Sequence, residues 1–242
     1  MYIGRPSYIE QLNDISFWYP ILDRIGMRTP DTKLFFADRA IGKIVDGEEV
    51  SEFKHLVAEI GKARESFGSE AFLRTGQTSN KHDWSDTCHL TAKSDVGEHV
   101  ASLINFSMMV DLPYTTFAVR RMIPTAALTV AFRNMPIARE VRMFVEGGRV
   151  VCAHPYWPTE AFEHESDETV TSDQLAQLQA MPDITELNMM AEYTSRHFEG
   201  AWSVDFLEDI DGTWWLTDMA VASTSYHWPG CEHEHSFQEA AS

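Results

Sequence analysis

The sequence predicts an α+β fold of two lobes with largely antiparallel sheets, and three observations predict it. Amphipathic helical stretches occur in pairs, one pair in each half of the chain. From residue 116 onward, strand-like runs follow one another through short turns, the mark of hairpins. The length of 242 residues and an apolar content of 44% are enough for a full core without disulfide or metal staples. No internal repeat or linker interrupts the chain, so a lobe boundary near 115 divides it into 1–115 and 116–242.

Each element has its own local reason. Residues 16–32 mix aromatics with turn residues, and Lys33-Leu34-Phe35-Phe36 reads as a strand. Phe53, Leu56, Val57, Ile60 and Phe67 recur at helical spacing over 52–67, and Gly68 supplies a stop. Ala71-Phe72-Leu73-Arg74 reads as a strand entering the polar loop 75–81, and helix returns over 96–109. Strands follow at 117–123, 128–132 and 139–145. Gly147-Gly148 turns the chain into Arg149–His154. Ser172, as an N-cap, opens a helix to Met181, Pro182 separates it from a second over 184–198, and a hairpin over 202–219 closes the fold.

Charge narrows the function. The net charge of -18 is segregated: 1–119 carries 12 basic against 17 acidic residues, 120–149 carries 6 against 2, and 150–242 carries 1 against 18. A surface this acidic repels duplex nucleic acid, whereas a short cationic island beside an acidic half suits a polyphosphate with its magnesium. Glu160, Glu163, Glu165, Asp167 and Glu168 read as solvation of a loop. Apolar runs are too short for a membrane span, and Met1–Pro6 lacks the basic-then-apolar layout of a signal peptide, so a cytoplasmic protein without membrane partners is expected. Cys88, Cys152 and Cys231 are far apart in sequence and read as reduced thiols.

The hairpin 202–219 carries the sharpest chemical signal. With Asp209–Gly212 as a four-residue loop, Glu208 pairs with Thr213, Asp205 lies opposite Leu216 and Asp218 lies opposite Ser203. Both carboxylates then share one face as diagonal neighbours, about 7–8 Å apart, and converge on a divalent cation. A five-residue loop would send one of them to the other face. Asp209 and Asp211 read as turn residues, because the remaining ligands of a calcium loop are missing. The Walker, dinucleotide-binding and protein-kinase signatures are all absent.

Four segments in order resemble a known family. They are Phe72–Asp83, Phe117–Met122, Arg139–Val145, and the pair Ser203–Phe206 with Leu216–Ala220. Together they resemble the ATP-grasp superfamily, in the branch containing the eukaryotic cell-division-cycle factor that assembles translation initiation factor two, with bacterial and phage relatives. The resemblance implies two α+β lobes clasping ATP, with 1–115 as the small nucleotide-clasping lobe and 116–242 bearing the Arg strand and the metal-binding hairpin. It implies phosphate contacts from Arg74, Ser79 and Lys81, a strand to the adenine hinge at Arg120, Arg121 and Met122, and magnesium on Asp205 and Asp218. Arg142, Arg139 and Asp205 are then the catalytic candidates.

The residues bear on these roles. A strand Arg forks to phosphate oxygens and keeps its charge, or else forms a strand-end ion pair. Arg139 and Arg142 have opposite parity, so at most one faces the nucleotide; Arg142 is favoured, with Glu140 on its face as orienting partner. Arg120 and Arg121 likewise face opposite ways. Ala220 stands where many relatives carry a metal-binding Asn, and Ser203 where many carry Arg.

The implied reaction is amide formation from a small-molecule or peptide carboxylate and an amine through an acyl phosphate. The alternatives are an ATP-binding assembly protein with a protein partner, and a phosphotransferase. Two features lie outside this scheme. Cys231-Glu232-His233-Glu234-His235 holds metal-type ligands but no second Cys/His pair, and reads as a frayed tail; His154-Pro155-Tyr156-Trp157 reads as an aromatic wall or as ordinary core with a satisfied His.

Overall fold

The structure, a computed structural model, describes residues 6–162 and 170–237. Of the acidic run beyond Phe162, Glu163, Glu165, Asp167 and Glu168 lie outside the described residues. In chain order the first elements are α1 (Tyr8–Asn13), α2 (Ile15–Arg24), β1 (Thr32–Phe36), α3 (Ser51–Ser66), β2 (Ala71–Thr75) and β3 (His89–Leu90). Next come α4 (Val96–Met109), β4 (Thr116–Arg121), β5 (Thr129–Ala131), β6 (Met135–Ile137), β7 (Glu140–Glu146) and β8 (Arg149–Pro155). The last are α5 (Ser172–Gln179), α6 (Thr185–Ser195), β9 (Ala201–Glu208) and β10 (Trp214–Val221). Among the described residues no helix is long and apolar enough to cross a membrane.

The chain forms two units. The first comprises Met1–Phe17, Pro30–Ile123 and Phe132–Met135; the second comprises Trp18–Thr29, Pro124–Ala131 and Pro136–Ser242. In the first, an antiparallel sheet runs in the order β1-β4-β2-β3. Ala71, Leu73, Phe117 and Val119 share one core with Leu56, Ile60 and Ala63 of α3 and Val100, Leu103 and Ile104 of α4. Fully burying one such Leu or Ile contributes about 1.5–3 kcal/mol, so this helical face anchors the sheet. Asp95 caps α4 by accepting from the amides of Gly97 and Glu98. α3 ends before Gly68, which holds φ 99°, a left-handed conformation that costs glycine little.

The second unit holds an antiparallel sheet in the order β10-β9-β7-β8. α6 packs against β7, β8 and β9 through Leu187 and Ala191. Every second residue of β7 and β9, namely Val141, Met143, Val145, Val204 and Phe206, is fully or almost fully buried. The alternate residues carry Glu140, Arg142, Ser203 and Asp205, which are polar side chains placed by the same pleat.

Two local expectations need correction. Residues 15–24 are a helix, although Pro20 lies inside it. Ile15, Trp18, Tyr19 and Leu22 form a buried stripe at i, i+3, i+4, i+7, and that stripe outweighs the backbone hydrogen bond a proline forfeits. The N-cap of α5 is Thr171, not Ser172. Its hydroxyl accepts from the Gln174 amide while Gln174 accepts from the Thr171 amide, a complete capping box one residue earlier.

Candidate functional site

The β9–β10 hairpin is built differently from the sequence expectation, yet it brings the carboxylates together. Glu208 pairs with Trp214, so the loop has five residues, 209–213. By pleat alone this would turn Asp218 away from Asp205. A β-bulge at Thr217 then shifts the register by one more residue and places Asp218 directly opposite Asp205. The two slips add to two residues, which returns Asp218 to the face of Asp205. Directly opposed residues have Cβ atoms about 4.5–5.5 Å apart, closer than the diagonal arrangement. The Thr217 hydroxyl donates to the Asp205 carbonyl at 3.2 Å and tacks the bulge to its partner strand.

Asp209 explains the longer loop. Its Oδ1 accepts from the amides of Asp211 at 2.9 Å and Thr213 at 2.8 Å, and its Oδ2 accepts from the Trp215 indole at 2.8 Å. The Trp215 hydrogen bond, then the two loop amides, hold the carboxyl below its ordinary range. The carboxylate form is therefore the one the fold favours. Its contribution is present at neutral pH and fades as pH falls through the acidic range. Asp209→Ala is expected to cost about 1 kcal/mol in this solvent-facing loop and to lower Tm by about 2–4 °C. Thermal melts at neutral and acidic pH check this, because the gap from wild type must shrink as pH falls.

Asp205 has a second neighbour. Arg142 on β7 pairs with Asp205 on one side and with His154 of β8 on the other. His154, Arg142, Asp205 and Asp218 thus form one row across four strands. Nε and Nη2 of Arg142 donate to Oδ1 and Oδ2 of Asp205, each at 2.8 Å, a bidentate fork. Nη1 donates to the Tyr226 carbonyl at 3.3 Å, and the guanidinium lies 4.8 Å from the centre of the Tyr156 ring. Burial disfavours the Arg142 charge, but Asp205 more than offsets it, so the guanidinium is held above its already high range. Asp218 Oδ1 accepts from the Met219 amide at 3.0 Å.

The other candidates of this unit lie nearby. Glu140 is buried, and its Oε1 accepts from the Trp157 indole at 3.1 Å. The orienting contacts to Arg142 come from Asp205, Tyr156 and Tyr226. Arg139 pairs with Glu208 at 2.6 Å, just before β7 begins. Ala220 pairs with Ser203, whose hydroxyl hydrogen-bonds Ser225 at 2.6 Å.

In the first unit the pleat separates the arginines. Phe72 pairs with Arg120, so Arg74 and Arg120 share one face, away from the α3–α4 core. Both are buried, at 4% and 3% exposure. Arg74 Nε donates to the Thr75 carbonyl, and Arg120 Nε to the Thr32 hydroxyl, each at 3.1 Å. Arg121 turns the other way, pairing with Asp31 at 2.8 Å over the Phe67 ring; Met122 follows the strand, half-buried.

Beyond β2 the loop is tight. The Thr75 amide donates to the Thr78 carbonyl at 2.8 Å, and a Cβ on Gly76 would collide with the Asp14 carboxylate, so only glycine fits without displacing it. Ser79 lies half-buried in this loop, and Lys81 opens the short 3₁₀ helix Lys81–Asp86.

A family model described as an ATP-grasp domain, family 3 of its clade, matches residues 61–233, most of the chain. The chain belongs to this ATP-grasp family. The fold agrees: C-terminally truncated Cdc123 from Schizosaccharomyces pombe superposes with a TM-score of 0.55 at 14% identity, covering 90% of this chain and 86% of that one. A RimK domain ATP-grasp protein from Sphaerobacter thermophilus gives 0.48 at 16% identity, and this chain covers 59% of its length with 86% of its own. N5-carboxyaminoimidazole synthetase from Staphylococcus aureus, complexed with ADP, gives 0.49 at 14% identity, with 86% of this chain on 44% of that one. No curated protein matches the sequence.

For an ATP-grasp domain, magnesium is the metal to test against these residues. Two opposed carboxylates offer hard oxygen donors only, and Mg²⁺ is commonly held by one or two carboxylates with phosphate and water completing the shell. Asp205 and Asp218 fit that donor set. The Arg142 fork uses one lone pair on each Asp205 oxygen and leaves further acceptor capacity.

Sequence reasoning missed Tyr226, Ser225 and the Thr217 bulge. No spacing signal ties Tyr226 to Arg142, 84 residues away. Trp215 near Asp209 is a hint of the longer loop, since its indole needs an acceptor.

Proposed function

We propose that the chain binds magnesium-ATP and uses it to convert a carboxylate to an acyl phosphate, which an amine captures to give an amide. The supporting observation is the single cross-strand row of Arg142, Asp205 and Asp218, a fixed cation beside paired hard-oxygen donors. When bound, magnesium neutralises charge at the terminal phosphates. The protein's own groups do the rest.

Arg142, kept charged by Asp205 and held flat by Tyr156 and Tyr226, has its Nε/Nη2 fork on Asp205 and offers phosphate oxygens the remaining hydrogens of Nη1 and Nη2. Asp205 and Asp218 supply the metal-facing carboxylates. Arg74 and Arg120, on one face of the first sheet, offer planar guanidinium donors and serve the phosphate chain. Ser79 and Lys81 support it from the adjoining loop, and Met122 lines the adenine. Arg142, which shares the cross-strand row of Asp205 and Asp218, takes the catalytic role, and Arg139 pairs with Glu208. Three free thiols suit the reducing cytoplasm, where ATP is abundant.

One observation favours a second reading, an ATP-binding assembly protein without turnover: Ala220 sets a methyl opposite Ser203, where a further metal ligand would strengthen the site. Incubation with magnesium-ATP and pooled amino acids, peptides and small carboxylates separates the two. Ligase activity predicts substrate-dependent release of ADP and phosphate. Release of AMP and pyrophosphate sinks the acyl-phosphate route, and tight ATP binding without substrate-dependent release favours the assembly reading.

A further inference from the structure

Four side chains that play no part in the nucleotide site converge in the second unit. Cys152 and His154 lie two residues apart on β8 and share a face. His227 and Cys231 come from the segment after β10. One ligand atom from each of the four lies within 4.8 Å of all the others, and Cys152 Sγ is 3.1 Å from His227 Nε2. Of the tail motif Cys231–His235 only Cys231 takes part; its histidine partner is His227, four residues upstream, and the second Cys/His pair is on β8. We propose that Cys152, His154, His227 and Cys231 form a tetrahedral zinc site that clamps residues 222–237 onto the Arg142 face of the sheet.

The ligand chemistry selects the metal. Two thiolates and two imidazoles are a donor set for Zn²⁺, whereas the oxygen pair at Asp205 and Asp218 suits Mg²⁺. Zinc bonds of about 2.0–2.3 Å set tetrahedral ligand atoms about 3.3–3.8 Å apart, so the widest separations would contract and the Cys152–His227 pair would open slightly. On binding, each thiol releases its proton to solvent, and the two thiolates balance the dication.

Independent observations point to a ligand at this place. Nε2 of His154 is buried and has no hydrogen-bond partner among the described residues, a costly state for an imidazole that a metal bond would relieve. The ordinary satisfied core histidine is therefore not what β8 carries. Nδ1 of His227 lies 3.3 Å from the Trp228 carbonyl, which fixes the tautomer that leaves Nε2 for a metal. The Trp228 indole donates to the Pro155 carbonyl at 2.8 Å and ties the segment to β8. Phe144 and Phe237 stack at 5.3 Å beside His227, an apolar wall of the kind that surrounds structural zinc.

The clamp reaches the neighbouring row. The segment it holds supplies the Tyr226 carbonyl to Arg142 and the Ser225 hydroxyl to Ser203, and His154 is the cross-strand partner of Arg142. Zinc would therefore fix the backbone against which Arg142 is oriented.

The test uses the full chain, purified under reducing conditions. Metal analysis is expected to find one zinc per chain, and replacement by Co²⁺ to give the intense visible bands of tetrahedral cobalt with thiolate charge transfer. Cys152→Ser, Cys231→Ser, His154→Ala and His227→Ala should each weaken zinc binding tenfold or more, while His233→Ala and Asp218→Ala retain it. Chelation should speed proteolysis within 222–237. An octahedral cobalt spectrum, an unchanged spectrum in Cys231→Ser, or a Cys152–Cys231 disulfide with no zinc would each overturn the assignment. Because the cobalt spectrum is read on the wild-type chain, a variant that fails to fold leaves the result decisive.

Discussion

Asp218→Ala is expected to weaken magnesium-ATP affinity by about 100-fold or more, and to leave thermal stability unchanged or slightly raised. The two effects have one cause. Asp218 lies directly opposite Asp205, and like charges facing each other across strands oppose folding. Removing one relieves that repulsion but leaves a bound metal with a single carboxylate. Calorimetry with ATP, with and without magnesium, measures the first effect, and a thermal melt the second. Unchanged affinity together with unchanged metal dependence would sink the site. A large fall in stability would instead make Asp218 a structural residue.

Arg142→Met should be the most damaging single substitution for stability in the second unit. Asp205 is 4% exposed, and the Arg142 guanidinium engages both its oxygens. Removing the cation leaves a carboxylate buried without its counter-charge, which costs about 3–5 kcal/mol. For a chain of this size that lowers Tm by roughly 10 °C. The pair itself need not be stabilising relative to apolar residues, so Arg142→Met combined with Asp205→Leu should recover most of the lost stability. It should recover no magnesium-ATP binding. A single-variant loss below about 1 kcal/mol would mean that the fork is not the buried pair described.

Much of this architecture is legible because local physics is strong. α3 follows from apolar residues at helical spacing stopped by Gly68, the helix over 96–109 is found as expected, and the Gly147-Gly148 turn announces β7 and β8. α2 is hidden because Pro20 masks the stripe Ile15, Trp18, Tyr19, Leu22, whose burial is a tertiary fact. The hairpin register is hidden for a similar reason. Loop length depends on what Asp209 caps, and the compensating bulge at Thr217 depends on its contact with β9.

The tail shows the limit most clearly. Cys231 and its neighbours read as a fraying end because a metal site is recognised by all its ligands, and two of them lie on a strand about 75 residues away. Likewise, Arg142 is a good candidate by residue type and parity, but its partners at 156, 205 and 226 come from three separate stretches of chain.

The sequence by itself determined the residue types, the periodicities and the family, and with them an ATP-grasp α+β chain carrying paired carboxylates on its last hairpin. Those features depend on residues close along the chain. The tertiary structure alone decided which residues face each other: the bulge that sets Asp218 against Asp205, the fork that binds Asp205 to Arg142, and the meeting of Cys152 and His154 with His227 and Cys231. Such contacts depend on strand register and on long loop closures, for which no local spacing rule exists.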